Sequence, residues 1–506
     1  MAPVDESALA MERLRETIEL LESIASDRSV LAGVPDEVRK RLLQAVASVY
    51  SPDRVERRRQ AKIVERQRKA VRVKGDQRVL HETGIRSLRR KPVFHTPNVF
   101  PTVSVADGFE PRDVHGPPEG GPYVRPESTE RQHCYVCKQK YTVIHHFYDQ
   151  LCPACAELNC RKRTELADVR GRVALVTGGR VKIGYQAGLK LLRSGAHLIV
   201  TTRFPRDSAQ RYAREPDFGD WGHRLEIFGL DLRHTPSVEA FCRELLATRT
   251  RLDFIVNNAC QTVRRPPDFY AHMMEGETAA LHDMPGHVRK LLGAYEGLRG
   301  YHMLPVTHAA QLSQVPLLPE ELAARQDLFP EGRLDQDLQQ IDLRGRNSWR
   351  LLLHEVSAVE LLEVQLVNAV APFIINARLK PLMMRTPERD KHIVNVSAVE
   401  GQFYRNFKTT RHPHTNMAKA ALNMMTRTAA TDYHADGIHM NSVDTGWVTD
   451  EDPVEIARRK SAEQRFHPPL DSVDGAARIV DPIVTGVRTG QHVWGQFLKD
   501  YRPTDW

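Results

Sequence analysis

The feature that most constrains this 506-residue chain is a regular alternation of short apolar segments with amphipathic ones that begins at Arg172. The segments VALVT, HLIVTT and LEIFG each have the length of a strand, and stretches with helical spacing of apolar residues separate them. Such alternation is typical of βαβ units, in which crossover helices join parallel strands. The sequence therefore predicts an α/β domain with a doubly wound parallel sheet over residues 170–506.

This alternation stops after Ala259 for about a hundred residues and resumes with VQLVNAVAPFIINARLKPLM, HIVNVSA and IHMNSVDTG. Residues 261–356 are therefore interpreted as an insertion, rich in His, Pro and Leu. Ligands of open α/β sheets bind outside the carboxyl ends of the strands, where an insertion after the fourth strand would lie. Its sequence is compatible with a lid, a partner surface or a dimerisation element.

Residues 1–92 predict a helical N-terminal region whose second half is strongly basic. Between Ser51 and Lys91 there are fifteen Lys or Arg and five Asp or Glu, a local charge of +10 against +8 for the whole chain. A basic helix can follow a nucleic-acid backbone, but this one has no interleaved aromatic residues and no recognisable nucleic-acid motif. A solvated helix face, or an arm that docks on its own protein, is the better prediction. Residues 93–130 are rich in Pro and Gly and predict an extended linker.

A compact cysteine segment occupies residues 131–165. Cys134, Cys137, Cys152 and Cys155 form the pattern C-x2-C-x14-C-x2-C. Each C-x2-C turn can point two thiolates at one metal ion, and four protein ligands leave no position open for water. The spacing therefore predicts a structural zinc site of the zinc-ribbon or treble-clef kind. Four reduced cysteines without metal, or an iron–sulfur cluster, are the alternatives. Other potential ligands nearby are His133, His145, His146 and Cys160.

Composition excludes several classes of protein. No apolar run approaches the roughly 20 residues of a membrane-spanning helix. The N-terminus carries acidic residues from Asp5 onward and has no apolar core of a signal peptide. Seven cysteines, five of them between Cys134 and Cys160, are too few and too clustered for a disulfide framework. We expect a cytoplasmic protein with no membrane partner.

The glycine-rich turn Thr177-Gly178-Gly179-Arg180-Val181-Lys182-Ile183-Gly184 ends the first predicted strand and opens a helix. Such a turn lets the backbone approach a pyrophosphate at the helix N-terminus. Asp231-Leu232 closes the third strand, and Asn257-Asn258-Ala259 closes the fourth. These motifs resemble those of the short-chain dehydrogenase/reductase superfamily over about 335 residues, from Arg172 to Trp506. The chain departs from that family at two positions, Lys182 and Cys260, where the family has glycine.

The resemblance implies a Rossmann domain that binds a dinucleotide. The residues that it assigns to the cofactor are Thr177, Gly178, Ile183, Gly184, Asp231, Leu232, Asn258, Ala259 and Lys419. The second strand ends in Arg203, where an enzyme selective for NAD would offer a carboxylate to the ribose. Arg203 and Arg180 favour a 2′-phosphate instead, because a guanidinium makes charge-assisted pairs with phosphate oxygens. NADP(H) is therefore the predicted cofactor.

The same resemblance implies a catalytic tyrosine, lysine, serine and asparagine, of which the chain keeps a part. Lys419 and Asn368 stand where the family has its lysine and its helix asparagine, but Thr415 replaces the tyrosine. Ser397 lies one residue before the usual serine position. A threonine hydroxyl has no useful acidity near neutral pH, whereas a proton donor needs a pKa near the working pH.

Two other side chains could donate the proton. His414 is adjacent to the lost tyrosine and is of a type suited to acid/base chemistry, and Tyr404 lies in an extended stretch before it. With one of these, the chain is predicted to be an NADP(H)-dependent oxidoreductase, a homo-oligomer acting on a small carbonyl or alcohol substrate. The alternative is a catalytically silent NADP(H)-binding adaptor that engages a protein partner through the zinc module, the basic helix and the insertion.

Overall fold

The computed structural model describes residues 6–50, 54–94, 126–296, 308–322, 327–405, 408–465 and 467–506. The chain divides into two compact units, Met1–Gln77 and Arg78–Trp506. Most of the predicted linker, residues 95–125, lies outside the described residues.

The first unit is helical. Helices Glu6–Ser26 and Asp36–Tyr50 flank a short 3-10 turn, and the basic helix Arg54–His81 begins in this unit. Apolar residues follow the predicted spacing along the first helix, but Leu14 is 57% exposed and Ile18 is 47% exposed. No apolar side chain among the described residues of this unit is fully buried.

The second unit is built on an eight-stranded sheet of order β10-β9-β8-β7-β6-β3-β4-β5. Pairing is parallel from β5 through β9, and only the edge strand β10 is antiparallel. The strands are β3 Val173–Thr177, β4 His197–Thr202, β5 Leu225–Gly229, β6 Phe254–Asn257, β7 Lys391–Ser397, β8 Ile438–Asp444, β9 Phe497–Lys499 and β10 Arg502–Thr504. The strand order reverses at β3, whose neighbours are β4 and β6, so a ligand crevice is expected at its carboxyl end. The predicted doubly wound α/β fold is confirmed.

Helices cover both faces of this sheet and enclose two apolar cores. The helices that pack on one face are Lys182–Arg193, Pro205–Ala213 and Ser472–Thr489, and those on the other are Thr235–Thr248, Ala371–Met383 and Pro413–Ala435. Parallel sheets need cover on both faces because their strands are apolar on both sides.

One continuous helix, Ala358–Met383, contains a π turn at Leu366–Val370. By length and composition it is apolar enough to cross a membrane, although 39% of its most apolar window is buried inside the protein. A search for uninterrupted apolar runs in the sequence does not identify this helix. In this fold Ala371, Ile375 and Leu379 pack into the sheet core.

The cysteine segment forms its own small module. Strands β1 Glu127–His133 and β2 Lys140–Val143 pair antiparallel, and helix Pro153–Thr164 follows. Helix Gly84–Arg90 packs beside them through Ile85 and Leu88.

Among its described residues, the insertion has an isolated β-bridge between Leu334 and Gln340 and several short helical segments. They are Pro267–Tyr270, Ala271–Thr278, Leu281–Asp283, Gly286–Lys290, Ala309–Leu312, Pro319–Glu321, Ser348–Arg350 and Leu353–Glu355. Helix Val454–Gln464 follows β8.

Candidate functional site

A cleft of about 490 Å³ opens at the carboxyl ends of β3 to β6. The glycine turn forms its floor, and the insertion and the segment after β8 form its walls. Predicted cofactor residues that line it are Gly178, Arg180, Ile183, Gly184, Arg203, Asp231, Leu232, Asn258 and Ala259. The sheet thus brings motifs from four strand ends to one crevice.

Gly178 and Gly184 in the glycine turn leave no room for a larger residue. Gly178 has φ +67°, and a Cβ there would lie 2.9 Å from Ala259 Cα. A Cβ at Gly184 would lie 2.3 Å from the Gly178 carbonyl oxygen. The two glycines therefore allow the β3 end, the β6 end and the first turn of the helix to touch.

Lys182 occupies the glycine position at which the sequence departs from the family. It keeps the left-handed backbone that glycine favours, with φ +54°. Burial lowers the pKa of its ammonium group, but the carboxylates of Glu451, Asp337 and Asp335 outweigh this and raise it. Two of these acids belong to the insertion, so the insertion supplies charge directly beside the turn.

The strand-end motifs hold the turn together. Asn258 Nδ2 donates to the carbonyl oxygens of Thr177 and Gly178 at 3.0 and 3.2 Å. The Ala259 amide donates to Thr177 Oγ1 at 3.0 Å. Asn257 faces the core instead, where its Nδ2 donates to Asn376 and Asn395, a buried amide network that sequence analysis missed.

The acid at the third strand end is engaged by its own neighbour. Asp231 is 2% exposed, and the Arg233 guanidinium binds its carboxylate at 2.7 Å. Burial raises the pKa of Asp231, but Arg233 more than offsets it and holds the pKa below the usual range. Arg233 also pairs with Glu363 at 2.8 Å.

The two arginines predicted to bind a 2′-phosphate differ in their surroundings. Arg180 is 7% exposed, and its guanidinium bonds Asp207 at 2.7 Å and Gln339 at 3.1 Å. Arg203 makes no ion pair within the described ranges; it lies 4.5 Å from the Tyr270 ring centre and donates to that hydroxyl at 2.6 Å. Arg203 is thus the cation more available to a ligand.

Of the predicted catalytic residues, Asn368, Ser397 and Lys419 are buried close to strand ends or helix turns of the sheet domain. Lys419 Nζ donates to the Val396 carbonyl at 2.8 Å, which places it beside Ser397 at the end of β7. Ser397 is 3% exposed, and its Oγ has no hydrogen-bond partner among the residues described. Asn368 lies in the π turn and uses its amide to hold the backbone of Gln261, at 2.7 and 3.0 Å.

His414 and Tyr404, the two predicted proton donors, lie in opposite surroundings. His414 is 1% exposed, and its Nε2 lies 3.4 Å from Glu360 Oε1. The hydroxyl of Thr415 next to it is buried and has no partner in the described part of the chain. Burial raises the pKa of Glu360, but His414 and Ser348 outweigh this and hold the pKa below its usual value, so a carboxylate faces the imidazole. Tyr404 is 94% exposed, and the structure does not bring it to this group.

Segment 347–352 of the insertion, which we call the strap, joins the segment after β8 to the residue before helix Pro413–Ala435. Asn347 Nδ2 donates to the Glu451 carbonyl at 2.8 Å, and the Trp349 ring stacks on His412 at 3.8 Å. The His412 amide donates to the Leu351 carbonyl at 2.8 Å. None of Ser397, His414, Thr415 and Lys419 lines the cleft. These four positions are buried and lie outside the lining of the cofactor cleft.

The four predicted metal ligands come together. The sulfur atoms of Cys134, Cys137, Cys152 and Cys155 all lie within 4.8 Å of one another, and those of Cys137 and Cys152 are 3.6 Å apart. One pair comes from the β1–β2 hairpin and the other from the start of helix Pro153–Thr164. Four thiols at these separations fit a tetrahedral ion such as Zn²⁺. Cys160, His133, His145 and His146 are outside this set.

Tyr270, Glu360 and the strap are functional candidates that sequence analysis missed. Tyr270 and the strap belong to the insertion, which carries no motif, and Glu360 follows directly after it. The only signal for them was the position of the insertion after the fourth strand.

Strand order, the glycine turn and the crevice at the switch point define a dinucleotide-binding domain of the Rossmann class. Residues 172–275 match the family described as short chain dehydrogenase, and residues 346–470 match the one described as enoyl-(acyl carrier protein) reductase. Residues 276–345, which neither family model matches, fall within the predicted insertion. The chain belongs to the short-chain dehydrogenase/reductase superfamily, a superfamily of oxidoreductases.

Curated relatives resemble this chain to different extents. "Uncharacterized protein R665" of Acanthamoeba polyphaga mimivirus is 30% identical over 384 residues, 74% of this chain and 76% of that protein. Dehydrogenase/reductase SDR family member 13 of Bos taurus is 34% identical over 106 residues, 20% of this chain and 28% of that protein. Retinol dehydrogenase 14 of Mus musculus is 33% identical over 102 residues, 18% of this chain and 30% of that protein. The alignment thus spans less than a third of the two named dehydrogenases.

Solved structures give a looser likeness. A short-chain dehydrogenase from Escherichia coli CFT073, complexed with NADPH, is 16% identical, with a TM-score of 0.40 over 66% of this chain and 98% of that one. A metagenomic short-chain oxidoreductase in complex with NADP is 19% identical, with a TM-score of 0.39 over 67% of this chain and all of that one.

Proposed function

We propose that the protein is an NADP(H)-dependent oxidoreductase that interconverts a carbonyl and an alcohol. The observation that carries the cofactor is Arg203, a cation at the β4 end that lines the cleft and has no carboxylate partner within the described ranges. A guanidinium without a carboxylate partner complements a 2′-phosphate, whereas an enzyme selective for NAD binds the ribose hydroxyls through a carboxylate. Arg180 has a supporting role, since Asp207 already neutralises it.

The proposed proton donor is His414. It is adjacent to Thr415, which stands at the tyrosine position, and Glu360 faces it as a carboxylate able to orient the ring. Tyr404 is not proposed, because its side chain is at the surface. Buried polar atoms without partners usually mark a place for water or a ligand. Those of Ser397, His414 and Thr415 suit the oxygen of a substrate.

In carbonyl reduction, NADPH when bound supplies the hydride that adds to the carbonyl carbon. His414 would give its proton to the oxygen, and Ser397 would donate a hydrogen bond to that oxygen. Lys419 keeps the end of β7 in place through Val396. Because these groups lie outside the lining of the cleft, the proposal requires strap 347–352 to shift when substrate enters.

The catalytic proposal is tested by NADPH oxidation over a panel of aldehydes and ketones, with His414→Gln and Tyr404→Phe beside the wild-type protein. Removing a general acid costs about 10²- to 10⁴-fold in rate. We expect a loss of that size for His414→Gln and no loss for Tyr404→Phe. Equal rates for the His414 variant and the wild type would contradict the role of His414.

The cysteine module is proposed to hold one structural zinc ion. Its support is the mutual proximity of four thiols, whose ligation leaves no open coordination position. Metal analysis of the purified protein is expected to give one zinc per chain, and about none in Cys152→Ser.

A silent NADP(H)-binding adaptor remains the second candidate. The observation that favours it is the burial of the catalytic positions outside the cleft lining, together with Thr415 in place of tyrosine. It predicts saturable NADPH binding with no turnover on any panel member, and a protein partner recovered only with the cofactor present.

A further inference from the structure

The cysteine module and the loop after β8 share one buried apolar cluster. Val448 and Leu470 pack in it with Cys134 and Tyr148, and Ile183 of the glycine turn packs against it. Residues 449–454 of this loop also line the cofactor cleft. One apolar cluster therefore connects the proposed metal site with a wall of the proposed cofactor site. We refer to residues 446–454 as the cleft loop.

Tyr135 is the most direct link between the two. It lies between the ligands Cys134 and Cys137, so metal binding fixes the backbone on both sides of it. Its hydroxyl oxygen accepts a hydrogen bond from the Trp447 amide at 2.9 Å. Gly446, the residue before Trp447, has φ +73°, and a Cβ on it would lie 2.5 Å from Leu470. The start of the cleft loop has little room to move while Tyr135 is in place.

Two further residues, Arg89 of the neighbouring helix Gly84–Arg90 and Asp149 of the module, contact the chain before and after helix Val454–Gln464. Arg89 donates to the Leu470 carbonyl at 2.6 Å and to the Val448 carbonyl at 3.4 Å. Asp149, in the turn before Cys152, is 2% exposed, and its carboxylate accepts hydrogen bonds from His467 at 2.7 Å and from Arg86 at 2.6 Å. These bonds anchor residues on both sides of helix Val454–Gln464.

We infer that the metal-loaded cysteine module positions the cleft loop, with Tyr135 as the positioning residue, so that metal binding and dinucleotide binding are thermodynamically linked. The inference rests on the proposed metal and cofactor, and it goes beyond a purely structural zinc. Linkage is reciprocal: if the metal strengthens dinucleotide binding, the dinucleotide strengthens metal binding by the same free energy.

The decisive comparison is Tyr135→Phe with Tyr141→Phe, each in the full chain with its metal content measured. Both changes remove one hydroxyl, but Tyr141 donates to the Asp149 carbonyl inside the module, at 2.7 Å. Hydrogen exchange of the cleft-loop amides is expected to rise in Tyr135→Phe and to match the wild type in Tyr141→Phe, with one zinc retained in both. The loss of one hydrogen bond predicts a roughly 3- to 10-fold higher Kd for NADPH in Tyr135→Phe alone.

Removing the metal with a chelator tests the linkage from the other side. We expect faster exchange of the cleft loop and roughly tenfold weaker NADPH binding. In the presence of NADPH, the equilibrium dissociation constant for zinc, measured by competition with the chelator, should fall by the same factor. Unchanged cleft-loop exchange in both Tyr135→Phe and metal-free protein would overturn the inference. If metal-loaded wild type binds no NADPH, the proposed cofactor fails, while the exchange data still decide whether the module positions the loop.

Discussion

Substitution of Arg203 by alanine is expected to convert a protein selective for NADPH into one that barely distinguishes the two dinucleotides. The guanidinium rests against the Tyr270 ring, with its hydrogen bond to that hydroxyl, and is therefore held in place before a ligand arrives. A hydrogen bond to a charged group contributes about 1.5–3 kcal/mol. This corresponds to roughly 10- to 150-fold in affinity. NADH lacks the phosphate and should bind within about threefold of wild type.

Fluorescence titration with each dinucleotide gives both dissociation constants. The matched control is Arg243→Ala, which removes the same charge from an exposed position on helix Thr235–Thr248 that does not line the cleft. It should leave both constants unchanged. Equal weakening of NADPH and NADH by Arg203→Ala would refute the reasoning, because it would show that Arg203 supports the cleft rather than binding a phosphate.

Three more results are expected. Gly178→Ala should weaken NADPH binding and lower stability by about 2 kcal/mol or more, since its φ is +67° and its Cβ would meet Ala259. Gly276→Ala, which faces open space in a helix, should instead be neutral or stabilising by up to about 1 kcal/mol in the same urea titrations. Burial raises the pKa of Glu277 to about 7, so its stabilising contribution is full below about pH 4.5 and is lost as pH rises through 7. Between pH 5 and pH 8 wild type should therefore lose about 2–3 kcal/mol more than Glu277→Gln, and parallel pH profiles would exclude this.

Much of the fold could be predicted from the sequence because the strands of a parallel sheet are short, apolar and separated by helices. The same alternation of strands and helices predicts that the glycine turn lies between β3 and the helix that follows it. The four cysteines were found by spacing alone, and the structure brings their sulfur atoms together. In each case the signal is local, within about twenty residues.

What could not be predicted depends on contacts between distant residues. Nothing in the sequence around Arg180 shows that Asp207 and Gln339 occupy its guanidinium, so the two arginines looked equivalent. The pairing of His414 with Glu360 joins residues 54 positions apart. Tyr404 was a reasonable candidate by chain distance, but its loop carries the side chain into solvent.

The most direct test of the account is an anaerobic reaction of the metal-analysed, NADPH-saturated wild-type protein with a panel of aldehydes and ketones, followed by the nicotinamide absorbance. The account predicts that at least one carbonyl causes the absorbance to fall with formation of an equivalent of alcohol. Full NADPH occupancy without turnover of any carbonyl would contradict the enzyme and favour the adaptor, and failure to bind NADPH would contradict the cofactor site itself.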